Sequence, residues 1–196
     1  MKSLLLILSL IIFTGSTITA QEYVYFGAKG GVNLSNMRSD SFADNDIQTG
    51  FHLGLLAEIP LGNGFSLQPE ILYSTQGTKA KEKTIEGPWP VEIELEYLQV
   101  PVLAKIFLTE SLAIEAGPSI NFLVNEKRDG KEADYGKNFE FGGALGASYI
   151  IRGGFFGSAR YTYGFTDAYD FQSVKNNGFQ LGVGLLFWKE VNVGNT

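Results

Sequence analysis

Along most of the chain, apolar residues alternate with small or polar ones in segments of about ten residues. In the second such segment, Phe51, Leu53 and Leu55 alternate with His52 and Gly54. A two-residue period is typical of β-strands whose two faces meet different environments. The pattern predicts eight strands, at residues 23–34, 50–59, 65–76, 91–107, 112–124, 139–151, 155–165 and 178–188.

The connections between these predicted strands alternate in length. Those at residues 60–64, 108–111 and 152–154 are short, whereas residues 35–49, 77–90, 125–138 and 166–177 form long polar loops in this interpretation. Short turns at one end and long loops at the other are typical of β-barrels in bacterial outer membranes. The sequence therefore predicts an all-β fold, an eight-stranded antiparallel up-and-down transmembrane β-barrel of the outer-membrane type. In that topology the short turns and both termini face the periplasm.

A soluble barrel of the lipocalin kind also alternates, but its apolar face points inward around a ligand. Here the glycines and charged residues share one face, and the aromatic residues share the other. Glycine accounts for 24 of 196 residues, and phenylalanine with tyrosine for another 24. A soluble barrel with these strands would expose its large aromatic residues to water, so the sequence favours an apolar outer face in contact with lipid.

The first 20 residues have the features of a secretory signal peptide. Lys2 supplies the positive charge, residues 4–13 are apolar, and a small-residue segment ends at Ala20. We therefore predict a signal peptide at residues 1–20 and a barrel domain at residues 21–196. Removing Lys2 leaves 14 basic and 21 acidic residues, a net charge of −7. This balance argues against nucleic acid as a partner, because phosphate binding requires a basic face. Lipid or lipopolysaccharide of the outer membrane is the expected contact.

The lumen of an eight-stranded barrel is just wide enough for its own side chains. The alternation directs six charged residues into its periplasmic half: Lys29, Glu58, Glu70, Lys105, Glu115 and Arg160. Buried charges are costly unless they are paired, so we expect a structural belt of salt bridges. Lys105 should contact Glu70, directly or through a neighbouring glutamine. Arg160 should contact Glu115 or Glu58.

Small residues are expected to line the upper half of the lumen and to leave a water-filled vestibule beneath the loops. They are Gly54, Ser119, Asn121, Gly142, Gly146 and Gly182. His52 and Asn121 are placed at the inner rim of this vestibule.

The chain offers little catalytic or metal-binding chemistry. His52 is the single histidine and cysteine is absent, whereas metal sites need several such ligands. We predict no catalytic, cofactor-binding or metal-binding residues. Two alternatives stay open: an acyltransferase-like site that combines His52 with Asp40 or Asp44, and a divalent cation on the outward-facing Glu92, Glu94 and Glu96. A solvated extension of the strand above the membrane explains these glutamates more simply.

Five segments resemble the PorT-like outer-membrane β-barrel proteins, which are related in build to the OmpX and OmpA barrels. They are FGAKGGVNLS at 26–35, LQPEILY at 67–73, YLQVPVLAK at 97–105, EAGP at 115–118 and ARYTYG at 159–164. The segments occur in family order and span nearly the whole barrel domain. The resemblance implies the barrel, its topology and its place in the outer membrane of a Gram-negative cell. The namesake member is associated with protein secretion across that membrane.

These features favour a non-enzymatic barrel with a filled lumen, which has a structural or interaction role through its exterior loops. Other envelope or secretion proteins are its expected partners, and a secretion accessory is the specific form that the resemblance implies. A narrow channel for small solutes and a lipid-modifying enzyme are the alternatives.

Overall fold

The computed structural model describes residues 23–39, 42–84, 87–133, 136–168 and 174–190. The predicted signal peptide lies outside these ranges, and so does Asp40. The strands are β1 (Tyr23–Ser39), β2 (Phe42–Gly62), β3 (Phe65–Thr84), β4 (Gly87–Phe107), β5 (Leu112–Arg128), β6 (Lys131–Ala133), β7 (Phe139–Ile150), β8 (Phe155–Gly164) and β9 (Val174–Glu190). Among the described residues, none forms a helix long and apolar enough to cross a membrane.

Eight of these strands form a closed antiparallel ring. Each strand from β1 to β5 pairs with the next along the chain, β5 then pairs with β7, and β7, β8 and β9 continue the ring. Pairing of β9 with β1 closes it, over residues 174–190 and 23–39. The short strand β6 pairs only with the upper part of β5. The predicted fold, an eight-stranded up-and-down barrel, is confirmed.

The two faces of each strand match the predicted inside and outside. On β2, the side chains of Leu53 and Leu55 are more than 60% exposed, whereas those of His52, Leu56 and Glu58 are buried. The same alternation holds on β9, where Val183 is exposed and Gln180 is buried. Apolar residues therefore cover the outer surface of the barrel, while most of its polar side chains are directed into the lumen.

Tight turns connect the strands at the lower end of the barrel. Gly62, Asn63 and Gly64, which connect β2 to β3, all have positive φ angles. Gly153 and Gly154 adopt the same left-handed region between β7 and β8. Most residues are strained in this region, whereas glycine and, less often, asparagine adopt it readily. These residues therefore let the chain reverse direction between two strands within a few residues.

The predicted long loops at residues 35–49, 77–90 and 125–138 are wrong for most of their length. Strand β1 continues to Ser39, β2 begins at Phe42, and β3 and β4 remain paired up to Thr84 and Gly87. The outer faces of these segments are polar because they project into water, and buried inward residues such as Thr78 and Ala80 are small or polar. The backbone itself is regular. Strand β9 likewise begins at Val174, within the predicted fourth loop.

The upper wall of the barrel is much higher on one side than on the other. Strands β7 and β8 end at Phe139 and Gly164, whereas β3 and β4 extend well above this level to their hairpin. Glu92, Glu94 and Glu96 face outward on this extension, as predicted. Glu92 pairs with Lys79 at 2.9 Å and Glu96 with Lys127 at 3.3 Å. The extension is therefore a charged, solvated sheet that projects from the barrel.

Candidate functional site: the lumen

The lower lumen contains all six charged residues of the predicted belt, and each is at most 4% exposed. Arg160 of β8 is its centre. The guanidinium donates through Nη1 and Nη2 to the carboxylate of Glu70 at 3.0 and 2.9 Å, and through Nε and Nη2 to Oε1 of Glu115 at 3.0 and 2.8 Å. Lys29 adds a weaker contact to Oε2 of Glu70 at 3.4 Å. The expected contact between Arg160 and Glu115 is confirmed.

Lys105 forms a separate pair. Its Nζ donates to Oε2 of Glu58 at 2.6 Å, so the expected contact between Lys105 and Glu70 is wrong. The reason is the strand register, in which Lys105 lies opposite Ser66. Glu70 is four residues further along β3, about 13 Å at 3.3 Å per residue. Alternation tells which face a residue occupies, but it does not give its height in the barrel.

Several glycines that were expected to line an upper vestibule instead lie beside large side chains. Gly146 pairs with Arg160 on β8 and with Glu115 on β5. A Cβ atom on Gly146 would lie 2.9 Å from the Cα of Arg160, and one on Gly182 would lie 3.0 Å from Nε2 of His52. These glycines make room for the belt and the histidine, since a narrow lumen has no other space for them.

His52 lies deep in the lumen and not at the outer rim, because β2 continues for ten residues above it. It is 2% exposed, and its Nδ1 is 2.8 Å from Oδ1 of Asn33. Asn33 donates through Nδ2 to Oγ of Ser74. An amide oxygen can only accept, so Nδ1 carries the proton and the unprotonated Nε2 has no hydrogen-bond partner. The geometry therefore makes His52 part of the polar packing above the belt.

Within the described part of the lumen, residues of the expected vestibule, Ser119, Asn121 and Gly142, line a cavity of about 20 Å³ that is surrounded mostly by polar and small residues. We call this cavity the acceptor chamber, and its principal polar lining is Gln76, Gln99, Asn121, Glu140, Asn176 and Gln180. Asn121, predicted at the rim, lines it and accepts a hydrogen bond from Ser119 at 2.8 Å. Only one or two waters would fit, since a single water needs roughly 10–15 Å³.

An apolar cluster covers the acceptor chamber on the exterior side. We call it the apolar cap, and it consists of Ala80, Val91, Ile93, Leu95, Tyr97 and Ala168. The Tyr97 hydroxyl extends from this cap and donates a short hydrogen bond to Oε1 of Glu140. Neither Glu140 nor the cap was predicted from the sequence. The signal for Glu140 was present, because Phe139 and Phe141 on either side of it face outward.

Buried side chains occupy the lumen at three levels: the paired charge belt, the polar layer around His52 and the chamber, and the apolar cap. Among the described residues, no three of the metal-binding types His, Asp and Glu are grouped as ligands for an ion. The lumen is thus built as packed protein interior, with strongly paired charges near its lower end.

The barrel geometry agrees with a family comparison. The sequence model of one protein family, the outer membrane protein beta-barrel domain, matches residues 19–170 of this chain. The chain belongs to this family. Membership places the protein in the outer membrane, where the apolar outer face meets lipid. Comparison of the sequence with curated proteins finds no match.

Solved structures share this outer-membrane barrel fold at low sequence identity. The attachment invasion locus protein Ail of Yersinia pestis, in complex with the heparin analogue sucrose octasulfate, superposes with a TM-score of 0.54 at 16% identity, covering 85% of this chain and 100% of Ail. Neisserial surface protein A superposes with a TM-score of 0.54 at 15% identity, covering 84% of this chain and 97% of that one. At such identities the likeness concerns the fold alone.

Proposed function

We propose that this outer-membrane barrel acts as a non-enzymatic interaction protein, through the sheet that projects from its exterior end. The observation that carries the proposal is the contrast between a filled lumen and a high, ordered outer wall. The wall consists of the upper parts of β1 to β5 and of β9, paired up to Ser39 with Val174 and Thr84 with Gly87. Because side chains fill the lumen, the residues that an external partner can contact are those of this wall.

The projecting sheet has the composition of a recognition surface. Trp89, beside the β3–β4 turn, is 66% exposed, and Ile47 on β2 is 63% exposed. Lys79 and Glu92 form an exposed ion pair on the same β3–β4 hairpin. Aromatic side chains are enriched at protein contacts, where a few such residues supply much of the binding free energy.

The finer assignment follows from sequence resemblance. The segments shared with PorT-like proteins support a role as an accessory to protein secretion, with other envelope or secretion proteins as partners. In this proposal residues 1–20 are removed on export, both termini are periplasmic, and the projecting sheet faces the exterior. The OmpX-like build supports the same orientation, because short turns face the periplasm in such barrels.

A narrow channel is the second candidate, because a polar lumen runs through the barrel. The charge belt and the apolar cap oppose it. A solute would have to separate Arg160 from two carboxylates and also pass the apolar cap. Breaking such buried pairs costs about 3–5 kcal/mol, which favours the interaction role.

Photo-crosslinking in intact cells tests the proposal. A photoreactive amino acid at position 89 should give a specific adduct with an envelope or secreted protein. The matched control is position 108, where Leu108 is 56% exposed at the opposite end of the barrel; that position should give no such adduct. Conductance is measured in parallel on the purified protein in planar bilayers. Steady single-channel currents without an adduct at position 89 would contradict the interaction role and support the channel hypothesis.

A further inference from the structure

An apolar groove crosses the outer face of the barrel where β5, β7 and β8 lie side by side. Along most of this face, large side chains such as Leu53 and Val183 project from the strands. In the groove, Tyr163 of β8 is followed across the sheet by Gly143 and then by Pro118, so two neighbouring outward positions lack a large side chain. The groove has a volume of about 360 Å³, and its walls are Leu145, Tyr161, Tyr163 and Phe165.

Ring contacts define the upper wall of this groove. The Phe165 ring lies against Gly143, where an added Cβ atom would be 3.0 Å from the ring. The centroid of the same ring is 5.8 Å from the ring centroids of Phe141 and of Tyr163. Leu145, which is 60% exposed, forms the lower wall. The groove is therefore a depression between fixed side chains on a surface that faces lipid.

Polar groups and a positive charge lie beside the tyrosines of the groove. The ammonium of Lys175, near the upper end of β9, is 6.0 Å from the ring centroid of Tyr163. The side-chain amide of Asn177 donates to the hydroxyl of Tyr161 at 3.4 Å. Tyrosine and lysine at the edge of an apolar band are typical of the level of the lipid headgroups. The groove thus connects a cationic site at headgroup level with the apolar outer face.

We infer that this groove binds one acyl chain of a phosphate-bearing membrane lipid, whose phosphate contacts Lys175. An unfilled groove forfeits dispersion contacts along its walls, and its apolar walls offer water no hydrogen-bond partners. The groove is continuous with the outer face that contacts lipid, so an acyl chain is the occupant available there. The ammonium of Lys175 favours an anionic headgroup over a neutral one. The inference rests on the membrane location of the outer face and is independent of the interaction role proposed above.

Native mass spectrometry of the refolded protein, released from detergent micelles that contain a chosen lipid, tests the inference. The two probes are dimyristoylphosphatidic acid and dimyristoylglycerol, which have the same acyl chains but differ in the phosphate. Wild-type protein should retain one molecule of phosphatidic acid per chain. It should bind phosphatidic acid about fivefold more tightly than dimyristoylglycerol, the contribution expected of one lysine near a phosphate.

Four variants identify the site. Gly143→Leu fills the groove and should weaken the binding of both lipids about tenfold, through the loss of roughly ten carbon–carbon contacts. Phe165→Ala removes the upper wall and should also weaken both. Lys175→Gln should lower the affinity for phosphatidic acid to that for dimyristoylglycerol. The matched control is Gly157→Leu, an outward position of β8 where the nearest atom to an added Cβ is 4.0 Å away; it should bind both lipids as wild type does.

Urea unfolding of each variant in detergent confirms that it is folded before lipid binding is compared. Equal lipid retention by wild type, Gly143→Leu and Phe165→Ala would overturn the inference. Equal affinity of wild type for the two lipids would overturn the assignment of the phosphate to Lys175. A dimer without retained lipid, which Gly143→Leu dissociates, would overturn the lipid site and identify a second copy of this chain as the occupant.

Discussion

The lower and upper halves of the lumen satisfy their buried polar groups in different ways. In the lower half, the belt matches three cationic side chains with three carboxylates, and the Arg160 guanidinium contacts two of them. In the upper half, Glu140 has one neutral donor, Tyr97, and the apolar cap lies above it. A narrow barrel can therefore fill its interior in two ways. It can use charges that neutralise one another, or a layer without internal ion pairs that depends on a few hydrogen bonds.

The largest effect is expected at the centre of the belt. Arg160→Met removes the cation that contacts Glu70 and Glu115, and it leaves two carboxylates buried without their main partner. We expect the free energy of unfolding to fall by about 3–5 kcal/mol or more, measured by urea titration in detergent or lipid. The control is Lys79→Met, which removes an exposed cation from the projecting sheet and should cost less than about 1 kcal/mol. Similar losses in the two variants would contradict the belt's role.

The pair of Lys105 and Glu58 tests whether charge itself stabilises the belt. Each single change, Lys105→Met or Glu58→Gln, should cost about 3–5 kcal/mol because one charge remains buried alone. The double variant should cost much less than the sum of the single changes, since both charges are then absent. A double-mutant cycle measures the coupling free energy. Additive losses would mean that the 2.6 Å contact contributes no specific stabilisation.

The upper half should be sensitive to a single hydroxyl. Tyr97→Phe removes the donor to Glu140 while it keeps the ring in the apolar cap. The expected loss in the free energy of unfolding is about 1–3 kcal/mol, the cost of a buried acceptor that loses its partner. Tyr163→Phe, on the outer face, is the matched control and should change stability little. If Glu140→Gln restores the stability of the Tyr97→Phe variant, the loss arose from the carboxylate.

The smallest effect concerns the projecting sheet and its response to pH. Hydrogen bonds from Tyr73, at 2.8 Å, and from Lys127 lower the pKa of Glu96. A lowered folded-state pKa gives stabilisation that is present above the unfolded-state pKa and is lost as the pH falls through the folded-state value. Tyr73→Phe should therefore reduce stability by only a few tenths of a kcal/mol at neutral pH, since the pair is exposed.

The difference between Tyr73→Phe and wild type should vanish in acid, when Glu96 is protonated in both. Stability measured across the acidic range checks this expectation. A difference that stays constant down to the lowest pH would show that the tyrosine acts through packing instead of through its bond to Glu96.

The alternation of residue types was sufficient for much of the architecture. It gave the number of strands in the ring, the outward face of Leu53 and Val183, and the inward face of all six belt residues. The two-residue period allows this because each strand residue must face either lipid or the lumen, and these environments select different side chains. The turn at Asp129 and Gly130 was missed, because residues 125–138 were assigned to a single loop. Both residues have positive φ angles, and the Asp-Gly pair is a strong hairpin signal.

Other features depended on the register between strands. Only the paired ring places Lys105 beside Glu58, Arg160 between Glu70 and Glu115, and Gly146 opposite Arg160. The upper parts of β1, β2 and β3 were misread as loops, because residues 35–39, 42–49 and 77–84 carry few large apolar side chains and the alternation loses its contrast there. The face that each strand residue occupies could be predicted from the sequence alone, since it depends on local periodicity. The height of each side chain in the lumen and its contact partners depend on tertiary structure, because the residues that meet there lie on different strands. Glu70, for example, lies 41 positions from Lys29 and 90 positions from Arg160.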